Sequence, residues 1–264
     1  MSRISQTFER LRRDKQKALI PFITAGYPDL STTRALILEF EKCGADLVEL
    51  GVPFSDPMAD GPLIQYASEQ SLSRGTSLDD ILQLVATVRR RTAIPIILMG
   101  YYNPFFKFGL ERFTRKAAQA GVDGVLVVDL PPEEAADMKR FTDQAGLDLI
   151  FLIAPTSGPG RVDRIVRHAG GFIYYVSLTG VTGVRSTLDR SIRRQLAAIR
   201  RKSTLPIGVG FGISTPEHAR TVARWSDAVV VGSAIIKIIS GCRSAHETLH
   251  KTGHFIRTLK KALQ

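Results

Sequence analysis

The stretch Asp46-Leu-Val-Glu-Leu50, running directly into Gly51-Val-Pro-Phe-Ser-Asp-Pro-Met-Ala-Asp60-Gly-Pro62, decides how the rest of the chain is read. Its first part is a short run, apolar on both faces except for one acid. Strand alternation puts Leu47, Glu49 and Gly51 on one face and Val48 and Leu50 on the other. Strands that are apolar on both faces belong in parallel sheets covered on both sides. The second part, rich in Pro, Gly and Asp, reads as a loop leaving the strand. A carboxylate such as Glu49 is costly to bury unless it has partners or a task. Asp60 then brings a second carboxylate on the loop. One acid on a rigid strand and one on a neighbouring loop suit proton-transfer chemistry.

The same unit recurs along the chain. Short apolar runs at 18–23, 47–51, 95–99, 124–128, 148–153, 172–177, 206–210 and 228–232 predict strands. Amphipathic patterns at 32–43, 78–90, 110–120, 133–145, 161–168, 191–201 and 217–224 predict helices between them. Alternation of this kind predicts an α/β fold, a (β/α)8 TIM barrel formed as a single domain over 1–264. Phe8 and Leu11 predict an extra N-terminal helix, and the residues after the eighth strand a short extra helix. A doubly wound sheet is the competing architecture, but no GxGxxG follows the first strand. Two loops, 52–62 and 178–189, are long and follow strand C-terminal ends, the active face of a barrel.

With 264 residues, 44% of them hydrophobic, the chain can bury one large core. No apolar run reaches the roughly 18 residues of a membrane span, and the N-terminus has no apolar signal core. Cys43 and Cys242 form no CxxC pair, which fits a reducing cytoplasm. The net charge of +11 is spread along predicted helix faces without interleaved aromatics, so no nucleic-acid site is expected. His246-Glu-Thr-Leu-His250 matches the HExxH zinc pattern. It sits in a terminal lysine-rich helix remote from the other candidates, and His254 does not follow at the extended metzincin spacing, so no metal site is expected.

Strands seven and eight end in Gly208-Val-Gly210-Phe-Gly212-Ile-Ser214 and Val231-Gly232-Ser233. Glycine lets backbone approach an anion, and a helix start points N–H groups at it. These turns predict a phosphate site of the kind barrels build after strands seven and eight; tight turns that need Gly are the alternative. Thr179-Gly-Val-Thr-Gly183 adds hydroxyls and backbone donors that can close over the same phosphate. Asp129, ending strand four, reads either as a tether for a closing loop or as a cap before Pro131-Pro132. Phe22, Met99, Tyr101, Leu126, Tyr174 and Phe211 fall near one rim and together suggest walls for a flat apolar group.

These residues resemble the α subunit family of tryptophan synthase. The matching stretches are Pro21-Phe-Ile-Thr-Ala-Gly-Tyr-Pro28, Glu49 through Pro62, Gly121-Val-Asp-Gly-Val-Leu126, Gly180-Val-Thr-Gly183, Gly210-Phe-Gly-Ile-Ser214 and Gly232-Ser-Ala-Ile235. The resemblance implies a barrel that cleaves indole-3-glycerol phosphate to indole and glyceraldehyde 3-phosphate. It implies a pyridoxal-phosphate-dependent β subunit in an αββα assembly, with no cofactor in this chain. It implies Glu49 as general acid/base, Asp60 at the indole nitrogen, and Tyr174 rather than Tyr175 as the active-site tyrosine. Phosphate contacts are implied for Gly183, Gly212, Gly232 and Ser233, and Thr182 is implied to link loop closure to Asp60. Met99 stands where a leucine is common, a swap of similar volume.

Overall fold

Eight parallel strands close into a barrel in chain order: β1 (Ala18–Thr24), β2 (Val48–Gly51), β3 (Ile96–Gly100), β4 (Gly124–Val127), β5 (Asp148–Ile153), β6 (Ile173–Val176), β7 (Ile207–Gly210) and β8 (Ala228–Val231). Pairing of β1 with both β2 and β8 completes the ring. The computed structural model describes residues 1–176, 185–210 and 212–264, with side chains described outside 185–191. The helices are α1 (Arg3–Arg13), α2 (Leu30–Lys42), α3 (Pro62–Ser73), α4 (Leu78–Arg89), α5 (Tyr102–Phe108), α6 (Leu110–Ala120), α7 (Ala136–Ala145), α8 (Pro159–His168), α9 (Arg185–Arg200), α10 (Pro216–Ala223), α11 (Ser233–Ser240) and α12 (Ala245–Ala262).

Strand alternation separates two cores. Ala18, Ile20, Leu47, Ile97, Leu126, Ile150, Phe172, Tyr174, Ala228 and Val230 fill the barrel interior. Leu19, Ile23, Val48, Leu50, Ile96 and Leu98 point outward against the helices. This is why the strand runs are apolar on both faces. The N-terminal helix takes the place expected of it: Ile4, Phe8 and Leu11 of α1 join the interior cluster and plug one end of the barrel. Ser2 caps this helix by accepting from the Ser5 N–H.

The plugged end is tied by aspartates. Asp46, just before β2, accepts from the Leu19 N–H at 2.9 Å and from Lys260 Nζ at 2.6 Å. Asp123, just before β4, accepts from the Ile96 N–H at 2.8 Å, from Arg89 at 2.9 Å and from Arg3 at 2.7 Å. Asp227, just before β8, accepts from the Ile207 N–H at 2.9 Å and pairs with Arg200 at 2.9 Å. Each staples an even strand to the one before it, and α1 and α12 supply part of the countercharge.

Three details depart from the sequence reading. α3 and α5 were not expected. α3 carries an unbroken polar-apolar mixture with little amphipathicity, and α5 is short. The helix expected at 133–145 starts only at Ala136, because residues 132–134 form a turn after Pro131-Pro132. Most of the long loop at 178–189 lies outside the described residues. Among those described, no helix is long and apolar enough to cross a membrane.

Candidate active site

At the open end, the last inward-facing positions of the strands surround a cavity of about 250 Å³. Phe22 of β1, Glu49 of β2, Met99 of β3, Tyr174 of β6 and Val230 of β8 form its floor and walls. Asp60, Gly61 and Ile64 close one side, and Gly212, Ile213, Ser214, Gly232, Ser233 and Ala234 form the other. The cavity is therefore polarised, with two carboxylates and a phenol towards one end and glycine turns with helix starts towards the other.

Glu49 is held rigidly. Its strand is paired on both sides, with Phe22 and Ile97 as register partners. The residue is fully buried, and among the described residues neither carboxylate oxygen has a hydrogen-bond partner. Such a group resists ionisation, because its charge has lost water without gaining donors. Burial, reinforced by the nearby Asp60 charge, pushes its pKa up to about 8. At neutral pH it is a protonated acid ready to give up its proton.

Asp60 sits in a different environment on the loop between β2 and α3. Burial raises its pKa, while a hydrogen bond from Tyr101 works in the opposite direction. The Tyr101 hydroxyl donates to Asp60 Oδ2 at 3.1 Å and accepts from the Ala59 N–H at 2.9 Å. Gln65 of α3 holds the Asp60 carbonyl at 2.9 Å. Two carboxyls thus face one cavity in unlike surroundings, an arrangement that separates acid from base.

Tyr174 faces inward, and its neighbour Tyr175 points outward to hydrogen-bond Gln195. Burial, then the charges of Glu49 and Asp60, keep the Tyr174 phenol protonated well above its ordinary range. Its hydroxyl lies against Gly210, where an added Cβ would come within 2.1 Å of it. A glycine is therefore required on β7 for the tyrosine to reach the cavity. At the opposite end, Gly212 turns with φ +71, a conformation that favours glycine. α11 begins at Ser233 with Gly232 as its N-cap, so its first N–H groups have no intrahelical partners. These features fit an anionic group at that end.

Not every expected residue meets this cavity. Tyr101 lines an adjoining recess and reaches the site through Asp60. Leu126 packs in the barrel interior beside Met99 and lines neither space. Asp129 is exposed and accepts from the Tyr102 N–H at 2.7 Å, which makes it a cap for α5 rather than for the helix after Pro131-Pro132. Thr182, Gly183 and Phe211 lie outside the described residues. His246, His250 and His254 line the exposed side of α12, and Glu247 is taken by Lys251 and the Arg243 N–H. Among the described residues no cluster of three metal-ligating side chains occurs.

Sequence reasoning missed Ile64 and Ser214 as cavity residues. Ile64 depends on α3, whose one legible signal was Pro62 at its first position after Gly61. Ser214 was visible as the end of the Gly210-to-Ser214 turn but was not singled out.

A family model described as tryptophan synthase alpha chain matches residues 8–264. The tryptophan synthase alpha chain of Citrifermentans bemidjiense is 55% identical over 263 residues, covering 100% of this chain and 98% of that one. The crystal structure of tryptophan synthase subunit alpha from Legionella pneumophila superposes with a TM-score of 0.92 at 41% identity, covering 100% and 98% of the two chains. A chain of tryptophan synthase from M. tuberculosis, in an aminoacrylate-bound form, gives 0.90 at 30% identity, with 100% of both chains covered.

Proposed function

The chain belongs to the tryptophan synthase alpha chain family, and from that premise we propose how its residues perform the family's reaction. The protein is a carbon–carbon lyase of tryptophan biosynthesis. It cleaves indole-3-glycerol phosphate to indole and glyceraldehyde 3-phosphate, and the indole passes to the beta subunit for tryptophan synthesis from serine.

Glu49 is the general acid and base. Breaking the bond between indole C3 and the glycerol carbon requires C3 to be protonated first, which gives the indoleninium cation with its positive charge on the ring nitrogen. Glu49 delivers that proton, as its raised pKa allows. The resulting carboxylate then takes the proton from the hydroxyl on the departing carbon. That O–H electron pair becomes the aldehyde π bond, and the C3–C3′ pair returns to the ring. Indole is restored and Glu49 ends the cycle protonated. Asp60, as carboxylate, balances the positive charge that builds at the ring nitrogen. Tyr174, Phe22 and Met99 hold the flat ring. Gly212, Gly232 and Ser233, together with Gly183, hold the phosphate, and Thr182 links closure of its loop to Asp60. The observation that carries this reading is the fully buried carboxyl of Glu49, without a partner among the described residues, facing a cavity that it shares with Asp60.

The beta partner is inferred to assemble as αββα, with pyridoxal phosphate held by that subunit and none in this chain. Support comes from exposed apolar side chains on the segments after β2 and β3: Met58 is 93% exposed and Phe106 is 60% exposed. Residues 1–264 are read as one barrel domain. A cytoplasmic location is supported by the free thiols of Cys43 and Cys242.

The test is indole release from indole-3-glycerol phosphate, measured with and without the beta subunit. Wild-type chain should release indole alone and faster with the partner. Asp60→Asn should be crippled in both conditions, because a neutral amide cannot balance the charge at nitrogen. Near-full activity of Asp60→Asn would refute its assignment.

A further inference from the structure

The hydroxyl of Thr24 has no role in the scheme above. Thr24 is the last residue of β1, two positions beyond Phe22 on the inward face, and pairs in register with Gly51 of β2. It is fully buried, and among the described residues its Oγ1 has no hydrogen-bond partner. A buried hydroxyl without a partner is destabilising. Valine has nearly the same shape without that cost, so a threonine here needs a reason.

The reason lies in the recess next to the main cavity. Its free volume is about 10 Å³, and its polar lining residues are Thr24, Asp60, Ser68 and Tyr101. That volume is at the lower edge of what a single water occupies, and a buried water needs two to four polar partners. The remaining walls are apolar, among them Phe22, Val52, Ile64 and Met99. Thr24, Asp60, Ser68 and Tyr101 give such a water enough polar partners, and Asp60 is the strongest acceptor among them.

We propose that Thr24 is a positioning residue: through one water in this recess it orients the Asp60 carboxylate towards the ring nitrogen of the substrate. The inference rests on the reading of Asp60 given above. Tyr101 holds one oxygen of Asp60 directly, and the Thr24-bound water holds the carboxylate from the β1 side. The carboxylate is then fixed between two donors, one on β1 and one just past β3, although it rides on a loop. Thr24 touches no reacting atom and acts only through Asp60.

The experiment compares Thr24→Val and Thr24→Ser in steady-state lyase kinetics, supported by a high-resolution crystal structure of the wild-type chain. Thr24→Val should lower kcat about tenfold while KM stays within twofold and thermal stability is unchanged or raised. Thr24→Ser keeps the hydroxyl and should return kcat to within twofold of wild type. The crystal structure should show one water within hydrogen-bond distance of both Thr24 Oγ1 and Asp60. Wild-type kcat in Thr24→Val, a serine variant as slow as the valine one, or a dry recess would each overturn the proposal. If Asp60→Asn is crippled while Thr24→Val is not, this inference alone fails. If Asp60→Asn is fully active, the reading beneath it fails too.

Discussion

The two ends of the barrel bury the same kind of side chain and treat it in opposite ways. At the plugged end, Asp46, Asp123 and Asp227 each accept a strand N–H and at least one cation. At the open end, among the described residues, Glu49 has no donor and Asp60 has one hydroxyl. A carboxylate whose oxygens are taken up by strand N–H groups and cations serves architecture. One that is buried without donors destabilises the fold but can change its protonation state during a reaction. The difference is not burial, since Asp123 and Glu49 are both buried. It is the supply of donors, and that supply marks which end works and which end holds.

The largest expected effect comes from removing the unpaired acid. Glu49→Gln should lower kcat by at least about 10³-fold, roughly 4 kcal/mol of barrier, as measured by indole release. The same variant should be more stable than wild type above about pH 5. In the unfolded chain Glu49 titrates near its ordinary 4.5, and in the folded one at about 8. Between those values the folded state binds the extra proton, so wild-type stability falls as pH rises and levels off above about 8. At 1.36 kcal/mol per pH unit the gain in the variant has a ceiling of roughly 5 kcal/mol at pH 8 and vanishes near pH 4. Denaturant melts at pH 4 and pH 8 test this. An inactive variant with no pH-dependent gain would mean that Glu49 is not buried in this state. In wild type, kcat/KM should decline above about pH 8 as the free enzyme loses its acid.

The saturated end should show the reverse pattern. Asp123→Ala strands the Ile96 N–H and the partly buried Arg89, which should cost about 3 kcal/mol of stability. Arg3 is more exposed and adds little. At a temperature where the variant is folded, its kcat should stay within twofold of wild type. A variant equally stable but catalytically poor would break the division between the two ends.

Gly210→Ala tests the working end without touching a carboxyl. The new methyl must displace the Tyr174 hydroxyl. We expect kcat/KM to fall roughly 30-fold, about 2 kcal/mol, with little loss of fold because Tyr174 is the residue that moves. Full activity would show that Tyr174 does not need its present position.

How much of this was legible in the sequence follows the same division. Glu49 and Asp60 lie within a single stretch, and strand alternation put Glu49 on one face with Leu47 and Gly51, so the working end could be read locally. The strands themselves were visible because both faces of each are apolar. The holding end was not legible, since its contacts join distant parts of the chain: Arg3 to Asp123, and Lys260 to Asp46. No local pattern marks such pairs. α3 escaped for another reason: it is a mixed surface helix with weak periodicity, and with it went Ile64. Asp129 was ambiguous because a cap and a tether ask for the same residue: its bond from the Tyr102 N–H at 2.7 Å caps α5, and the loop it would tether lies outside the described residues.

Tyr101→Phe makes the smallest expected change and asks the finest question: how far a single donor moves Asp60 from the behaviour of one end towards that of the other. The phenol donates to Asp60 and accepts from Ala59. The Ala59 N–H is on an exposed residue and can turn to water, so stability should change by less than about 0.5 kcal/mol. Asp60 cannot be compensated as easily, because burial already raises its pKa and the lost hydrogen bond was what lowered it. Its pKa must therefore rise, and the acid limb of kcat/KM should move to higher pH. The expected loss at neutral pH is about fivefold, roughly 1 kcal/mol, the usual contribution of one hydrogen bond. If the limb moved to lower pH, the hydroxyl would have to be accepting from a protonated Asp60. The carboxylate assigned to the ring nitrogen would then be a neutral acid in the free enzyme.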